Sequence, residues 1–302
     1  MKAKKIFLYA LKLSITALVL WWIDRSIGFS TVVDTLSKTN FAFFAVAVFI
    51  YVVSIFIGAL QWRIILKNRG LSMRVFETVK LYWTGMFFNN FVLGSLVGDS
   101  FKVAALYRQK KARQGFGATF LDRFAGLAVL SIFAIIGAPI TNSAGILLLF
   151  WASILIALLL IIFSKRLGML LSRLSPNVQK IISSVHIDRQ NKADTNMLGK
   201  VFAVSVLIQS LRISSHIFCA AAVGIFTFDT LHYYFVIIPI TALLMMIPLP
   251  FGVVPTISGA IFAAAGFSTG DATIMQFLAT IAAVIGSSAG AVFFILGRTK
   301  IR

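Results

Sequence analysis

Apolar residues run almost unbroken through Ile6–Ile23, Phe41–Leu66, Gly117–Ile140, Gly145–Phe163, Val201–Val223 and Thr273–Leu296. Each run has the roughly 20-residue length that a helix needs to cross a ~30 Å hydrocarbon core. Two further regions are apolar but interrupted. Leu81–Leu106 carries Asn89-Asn90, Gly94, Gly98 and Asp99 at its centre, and Tyr233–Phe267 carries Pro248, Pro250, Gly252 and Pro255. Each interruption would leave backbone polar groups unpaired in lipid, which is tolerated only inside protein or beside a wet cavity. The first run follows Lys2, Lys4 and Lys5 as a signal peptide would. Lys12 interrupts it, however, and Trp21-Trp22-Ile23 stands where a small-residue cleavage site belongs. It reads as a retained anchor with interfacial tryptophans.

Charge sets the orientation. Of 28 Lys and Arg residues, 25 fall in five groups: Lys2 to Lys12, Arg63 to Lys80, Lys102 to Arg123, Lys165 to Lys200 and Arg298 to Arg302. The positive-inside rule places all five in the cytoplasm. Arg25 and Lys38 then fall in an outer loop and Arg212 within a span. The basic flanks of Leu81–Leu106 belong on one side, so that region enters and leaves from the cytoplasm. Tyr233–Phe267 must begin and end outside, because Val201–Val223 runs outward and Thr273–Leu296 must deliver Arg298 inward.

The predicted fold is an all-α polytopic membrane protein with six full spans plus two oppositely oriented re-entrant helical hairpins arranged as an inverted repeat, a known transporter design. It forms a single membrane domain over 1–302: an anchor span at 6–23, a first repeat at 41–140, a connecting span at 145–163, a basic cytoplasmic loop at 164–200 and an inverted second repeat at 201–297. The other reading makes each broken region two ordinary, tightly packed spans.

Composition agrees with this. The chain is 59% hydrophobic and 12% charged, against about 45–50% and about 25% in soluble domains. That excludes soluble, secreted, fibrous and disordered classes. A net charge of +19 would suggest nucleic acid in a soluble protein; here it is orientation signal and attraction to anionic headgroups, and no nucleic-acid partner is expected. Cys219 is the lone cysteine, and His186, His216 and His232 lie in separate segments. No cofactor or metal is expected. No P-loop, dinucleotide signature or Ser/His/Asp order occurs. Asp99 and Asp122 form the one plausible carboxylate pair, and each has a basic neighbour that keeps it ionised.

Charged groups at membrane depth cost about 2.5–3.5 kcal/mol each on insertion scales. Asp99 and Lys102 share a helical face at i,i+3 and can pair. Asp122 and Arg123 open a long span. The bland reading of these four is an interface position with snorkelling side chains. Arg212 lies mid-span, with Gln209 and His216 near its face. It can pair with a carboxylate such as Asp99 as a structural ion pair, or grip a phosphate bidentately. Met245-Met246 reads as core filler.

Asn89-Asn90 followed by Leu93-Gly94-Ser95-Leu96-Val97-Gly98-Asp99-Ser100-Phe101-Lys102 resembles the Gly-Asp-x-x-Arg segment of the lysylphosphatidylglycerol synthase transmembrane family, with Lys102 in place of arginine. Asp122-Arg123-Phe124-Ala125-Gly126-Leu127 resembles that family's acidic-Arg-x-x-Gly-Leu helix start. Pro248-Leu249-Pro250-Phe251-Gly252 through Gly259-Ala260 resembles its re-entrant segment, although Ile257-Ser258 stands where the family carries an Arg-Glu pair. The outer hairpin therefore lacks that charge pair. The resemblance covers residues 6–297. Similar proteins include the flippase half of the multiple peptide resistance factor and members assigned to glycolipid or hopanoid pathways.

The family's lysyl transfer belongs to a soluble C-terminal domain. The chain ends six residues after Leu296, so a stand-alone member without that domain is expected. The resemblance implies a flippase or transporter of an anionic or zwitterionic lipid in a prokaryotic cytoplasmic (inner) membrane, and the charge-derived topology places both termini in the cytoplasm. Asn89, Asn90, Asp99, Lys102, Asp122, Arg123, Gln209 and Arg212 form the expected substrate-binding set. Two other readings stay open: a membrane-embedded lipid-modifying enzyme such as a glycosyl-lipid transferase, and a non-catalytic partner of a lipid-synthesis enzyme. A lipid with a polar headgroup is the expected partner, with a second copy or a synthase as candidate protein partners.

Overall fold

A computed structural model of the chain describes residues 34–35, 37–91, 95–107, 111–137, 192–245 and 252–297. The runs at Ile6–Ile23 and Gly145–Phe163, the loop from 164 to 191, Leu93-Gly94, the Pro248–Phe251 break and the residues from Arg298 onward lie outside the described residues. Among the described residues all regular structure is helical: α1 (Phe41–Asn68), α2 (Val75–Phe91), α3 (Ser95–Tyr107), α4 (Ala112–Gly137), α5 (Lys192–Val223), a 3-10 turn (Phe228–Thr230), α6 (Leu231–Leu244), α7 (Val253–Ala264), α8 (Thr269–Ser287) and α9 (Ala289–Gly297). Among the described residues four segments are long and apolar enough to cross a membrane: α1, α4, α5 and the α8–α9 pair. Phe41, Phe49 and Ile136 leave most of their apolar surface uncovered, as side chains against lipid would.

Local sequence sets the helix ends. Asn40 caps α1, its Oδ1 accepting from the N–H groups of Ala42 (3.0 Å) and Phe43 (3.4 Å), which satisfies donors that the first turn leaves orphaned. Gly224 stops α5 in a left-handed conformation (φ +87°), with its N–H on Ala220 O at 2.9 Å. Glycine enters that region without a Cβ penalty. Pro255 sits in the first turn of α7, where its missing N–H leaves no bond unmade.

Several boundaries differ from the sequence reading. Asn89, Asn90, Gly98 and Asp99 do not interrupt a helix; the first two lie inside α2 and the last two inside α3. Of these, Asn89 and Gly98 serve the packing of α2 on α3. A Cβ on Gly98 would lie 1.8 Å from Gly85 O, and Asn89 Oδ1 accepts from Gly98 N at 2.8 Å. Contacts 85–98, 89–98 and 85–102 make α2 and α3 an antiparallel hairpin. Next, α4 begins at Ala112 rather than Gly117, so Asp122 and Arg123 stand well inside it instead of at its opening. Residues 192–200, read as the end of a loop, belong to α5. The run Thr273–Leu296 is broken at Ser288, where the chain tightens: Ser288 N–H reaches Ile285 O, and Ala291 N–H reaches Ser288 O.

The most extensive packing is between α1 and α5, which run antiparallel. Asn40 N–H donates to Ala222 O at 2.8 Å, Ser215 Oγ to Ala47 O at 3.0 Å, Ser205 Oγ to Gln61 Oε1 at 2.9 Å and Asn68 Nδ2 to Ala193 O at 3.4 Å. This seam defines two ends of the bundle. At one end Leu66, Leu71, Leu106, Met197 and Val201 pack together around Trp62 and Tyr82. Towards the other end Tyr234, Phe262 and Phe267 pack with Phe226, and Thr35 Oγ1 donates to Asp271 Oδ1 at 3.3 Å.

The two sequence halves also interlock. From the first, α2 docks on the α8–α9 break: Trp83 Nε1 donates to Gly286 O (3.0 Å), and Thr84 Oγ1 donates to Gly290 O (3.3 Å). From the second, α6 docks on α4. Gly137 leaves room for the backbone at His232 and for Val236, and Phe133 meets Phe235 edge-on at 5.6 Å.

Candidate functional site

Between the two apolar clusters lies a cavity of about 320 Å³. All eight residues singled out in the sequence border it: Asn89, Asn90, Asp99, Lys102, Asp122, Arg123, Gln209 and Arg212. The hairpin supplies the first four, α4 the aspartate–arginine pair and α5 the last two.

Asp99 and Lys102 pair at 3.0 Å across one turn of α3, and their side chains are 12% and 3% exposed. Burial on that scale excludes a snorkelling lysine. The ammonium stands 4.6 Å from the Tyr82 ring centroid and 5.4 Å from that of Trp62, so two aromatic faces replace part of its lost hydration. Its stem crosses Gly85, where an added Cβ would lie 2.9 Å from Lys102 Cγ. The second oxygen of Asp99 accepts from Arg123 Nε. One carboxylate thus binds two cations.

Asp122 faces the same space with different partners. Its Oδ1 accepts from Gln61 Nε2 at 2.9 Å and its Oδ2 from the Tyr82 hydroxyl at 3.4 Å. Ser205 in turn donates to the Gln61 carbonyl oxygen, which links α5, α1 and α4 through one amide.

Arg212 does not pair with Asp99, whose oxygens are taken by Lys102 and Arg123. No ion pair forms on it, and its buried Nε has no hydrogen-bond partner among the described residues. His216 Nδ1 and Gln276 Nε2, which border the same cavity, are likewise buried without a partner. Gln209 is buried over Gly126, where an added Cβ would come within 2.7 Å of Gln209 Nε2.

The two asparagines are engaged within the protein. Asn89 holds the hairpin through Gly98, and Asn90 Nδ2 donates to Ala283 O and Ser287 Oγ, both at 3.0 Å. Met245 is no core filler: it is partly exposed and borders the cavity.

Sequence reasoning missed Gln61, Tyr82 and Gln276. The signal that singled out Gln209, an amide within an apolar run, is also present at Gln61 and Gln276. Tyr82 gave no such signal, since an aromatic residue suits any buried face. Among the described residues no three His, Cys, Asp or Glu side chains are grouped as a metal ion would need.

The model of the family described as the lysylphosphatidylglycerol synthase TM region matches residues 9–291. The chain belongs to that family. It is also similar to the UPF0104 membrane protein PH1989 of Pyrococcus horikoshii, with 23% identity over 213 residues, 66% of this chain and 62% of the relative. The chain therefore spans less than two thirds of that relative's length. No solved structure matches. As a member of the lysylphosphatidylglycerol synthase TM family with several apolar spanning-length helices, the protein is an integral membrane protein.

Proposed function

We propose that this protein moves a lipid across the cytoplasmic membrane, receiving the polar headgroup in the cavity while the acyl or prenyl chains stay in the bilayer. The observation that carries this reading is the cavity itself: five charged side chains and several orphaned donors enclosed by helices of membrane-spanning character. Charges at such a depth are functional by default. The direct test is reconstitution of the full chain into vesicles carrying a fluorescent-headgroup phospholipid, with a membrane-impermeant quencher outside. The inner-leaflet half of the signal should become quenchable with protein and stay protected without it. Protected signal in both preparations refutes transport, and chemical change of the headgroup instead points to the enzyme reading.

For the arrangement in the membrane we propose six spans and two opposed re-entrant hairpins related as an inverted repeat. Three features support it. Counterpart helices α1 and α5 run antiparallel. Packing pairs recur between the halves: α2 on α8–α9 answers α6 on α4, and α1 on α8 answers α5 on α4. Arg63, Lys67, Arg69 and Arg74 lie towards the end that holds Leu66, Leu106 and Met197, whereas Asp34, Asp229 and Asp271 belong to the other. In a Cys219→Ala background, single cysteines at Arg74 and Lys111 should label only from the cytoplasm, and those at Asp229 and Thr269 only from outside. Cytoplasmic labelling at Thr269 would overturn the outer hairpin and the inverted repeat with it.

A further inference from the structure

The charges around the cavity do not cancel. Among the described residues bordering it, three cations (Lys102, Arg123 and Arg212) face two carboxylates (Asp99 and Asp122). Lys102 and Arg123 both engage Asp99, and Asp122 is held by neutral donors. The lining therefore carries one positive charge in excess, and Arg212 is its one cation without a carboxylate in contact, its Nε buried and without a partner. On α8, Gln276 is 2% exposed, and its buried Nε2 likewise has none. The large majority of buried side-chain polar atoms in native proteins are hydrogen-bonded, and an uncompensated buried cation is costlier still. Two orphaned donors on different helices beside one cavity are what a ligand acceptor would complete.

We propose that the cavity is selective for a phosphodiester monoanion, held by Arg212 with Gln276 as a second donor. This rests on the transport reading and specifies it: the lipid carried has a headgroup of net charge −1. A planar guanidinium fork matches two phosphate oxygens, and one negative charge restores neutrality around the cavity. A zwitterionic headgroup brings its own cation and leaves the surplus in place, and a cationic headgroup adds to it. A phosphomonoester dianion overshoots.

The test is a binding titration, followed by thermal unfolding, of the purified full chain in detergent. The probes are phosphatidylglycerol, phosphatidylcholine and the soluble diester glycerophosphoglycerol. Phosphatidylglycerol should bind the native protein roughly tenfold or more tightly than phosphatidylcholine, the order expected of one charge-assisted contact. Arg212→Gln should erase that preference, Arg212→Lys should keep part of it, and Gln276→Leu should weaken phosphatidylglycerol several-fold. Arg212-dependent binding of the soluble diester assigns recognition to the headgroup alone; binding of the lipid only shows that the chains are needed as well. Equal affinity of the native protein for the two lipids, or a preference that survives Arg212→Gln, overturns the proposal. If Arg212→Gln does not fold, unchanged phosphatidylglycerol affinity in Gln276→Leu or no lipid preference in the native protein does so. Failure of the two readings is separable, because movement without lipid preference refutes only this inference, and preference without movement refutes only transport.

Discussion

Replacing Asp99 with Asn should abolish lipid movement and lower the unfolding temperature of the purified protein more than any other charge substitution at the site. Asn keeps the size of the side chain, so no void opens. What is lost is the one anion that contacts both Lys102 and Arg123. Removing one partner from a buried ion pair costs about 3–5 kcal/mol, because a charge is left uncompensated; here two cations are left. Lys102→Gln should be milder, since Asp99 keeps Arg123. The double variant should lose less than the sum of the singles, as coupled residues do. Thermal unfolding and vesicle transport measured on the same preparations check this. Native-like unfolding and transport in Asp99→Asn would show that the cluster carries neither stability nor function.

Gly98→Ala should be comparably severe through a different cause. The new methyl group would lie 1.8 Å from Gly85 O and 2.5 Å from Asn89 Oδ1. The first obstacle is backbone and cannot rotate away, so α2 and α3 must separate and the Asn89–Gly98 hydrogen bond must break. Overpacking costs about 1–3 kcal/mol where side chains can yield, and this contact offers no such relief. Gly199→Ala is the matched control. Nothing lies within 4 Å of a Cβ there, so it should be neutral or stabilise α5 by about 0.5–1 kcal/mol. The check is the yield of monodisperse protein and its unfolding temperature. A Gly98→Ala protein that unfolds like the native one would show that the helices do not touch at this point.

What the sequence revealed follows from the range over which its signals act. Apolar length marked α1, α4, α5 and α8–α9, because lipid imposes that length on any crossing helix. The Asp99–Lys102 pair was legible because three residues bring two side chains onto one helical face. Arg212 and Gln209 stood out because a polar group in an apolar run has few places to go. Partnership across helices was not legible. Arg123 reaches Asp99 from 24 positions away, which displaces the Arg212–Asp99 pair that the sequence left open, and no local pattern encodes that competition. Gly98 and Asn89 misled for a related reason. Read alone they look like helix breakers, yet their small volume and amide serve a neighbouring helix, and the choice between those roles is made by tertiary packing.

The docking of α2 on α8–α9 and of α6 on α4 bears on how such a molecule can work. Trp83 and Thr84 cover carbonyls beside the Ser288 break. Drawing α2 away would strand those oxygens in a dry interior, and the close fit at Gly137 ties α6 to α4 in the same way. Each half thus holds an arm of the other. Any alternation between inward- and outward-open shapes must carry α2 together with α8–α9 and α6 together with α4. On the proposed transport reading, the rigid bodies of the cycle are assembled from both halves of the sequence, and the line of division between them does not follow the boundary in the chain.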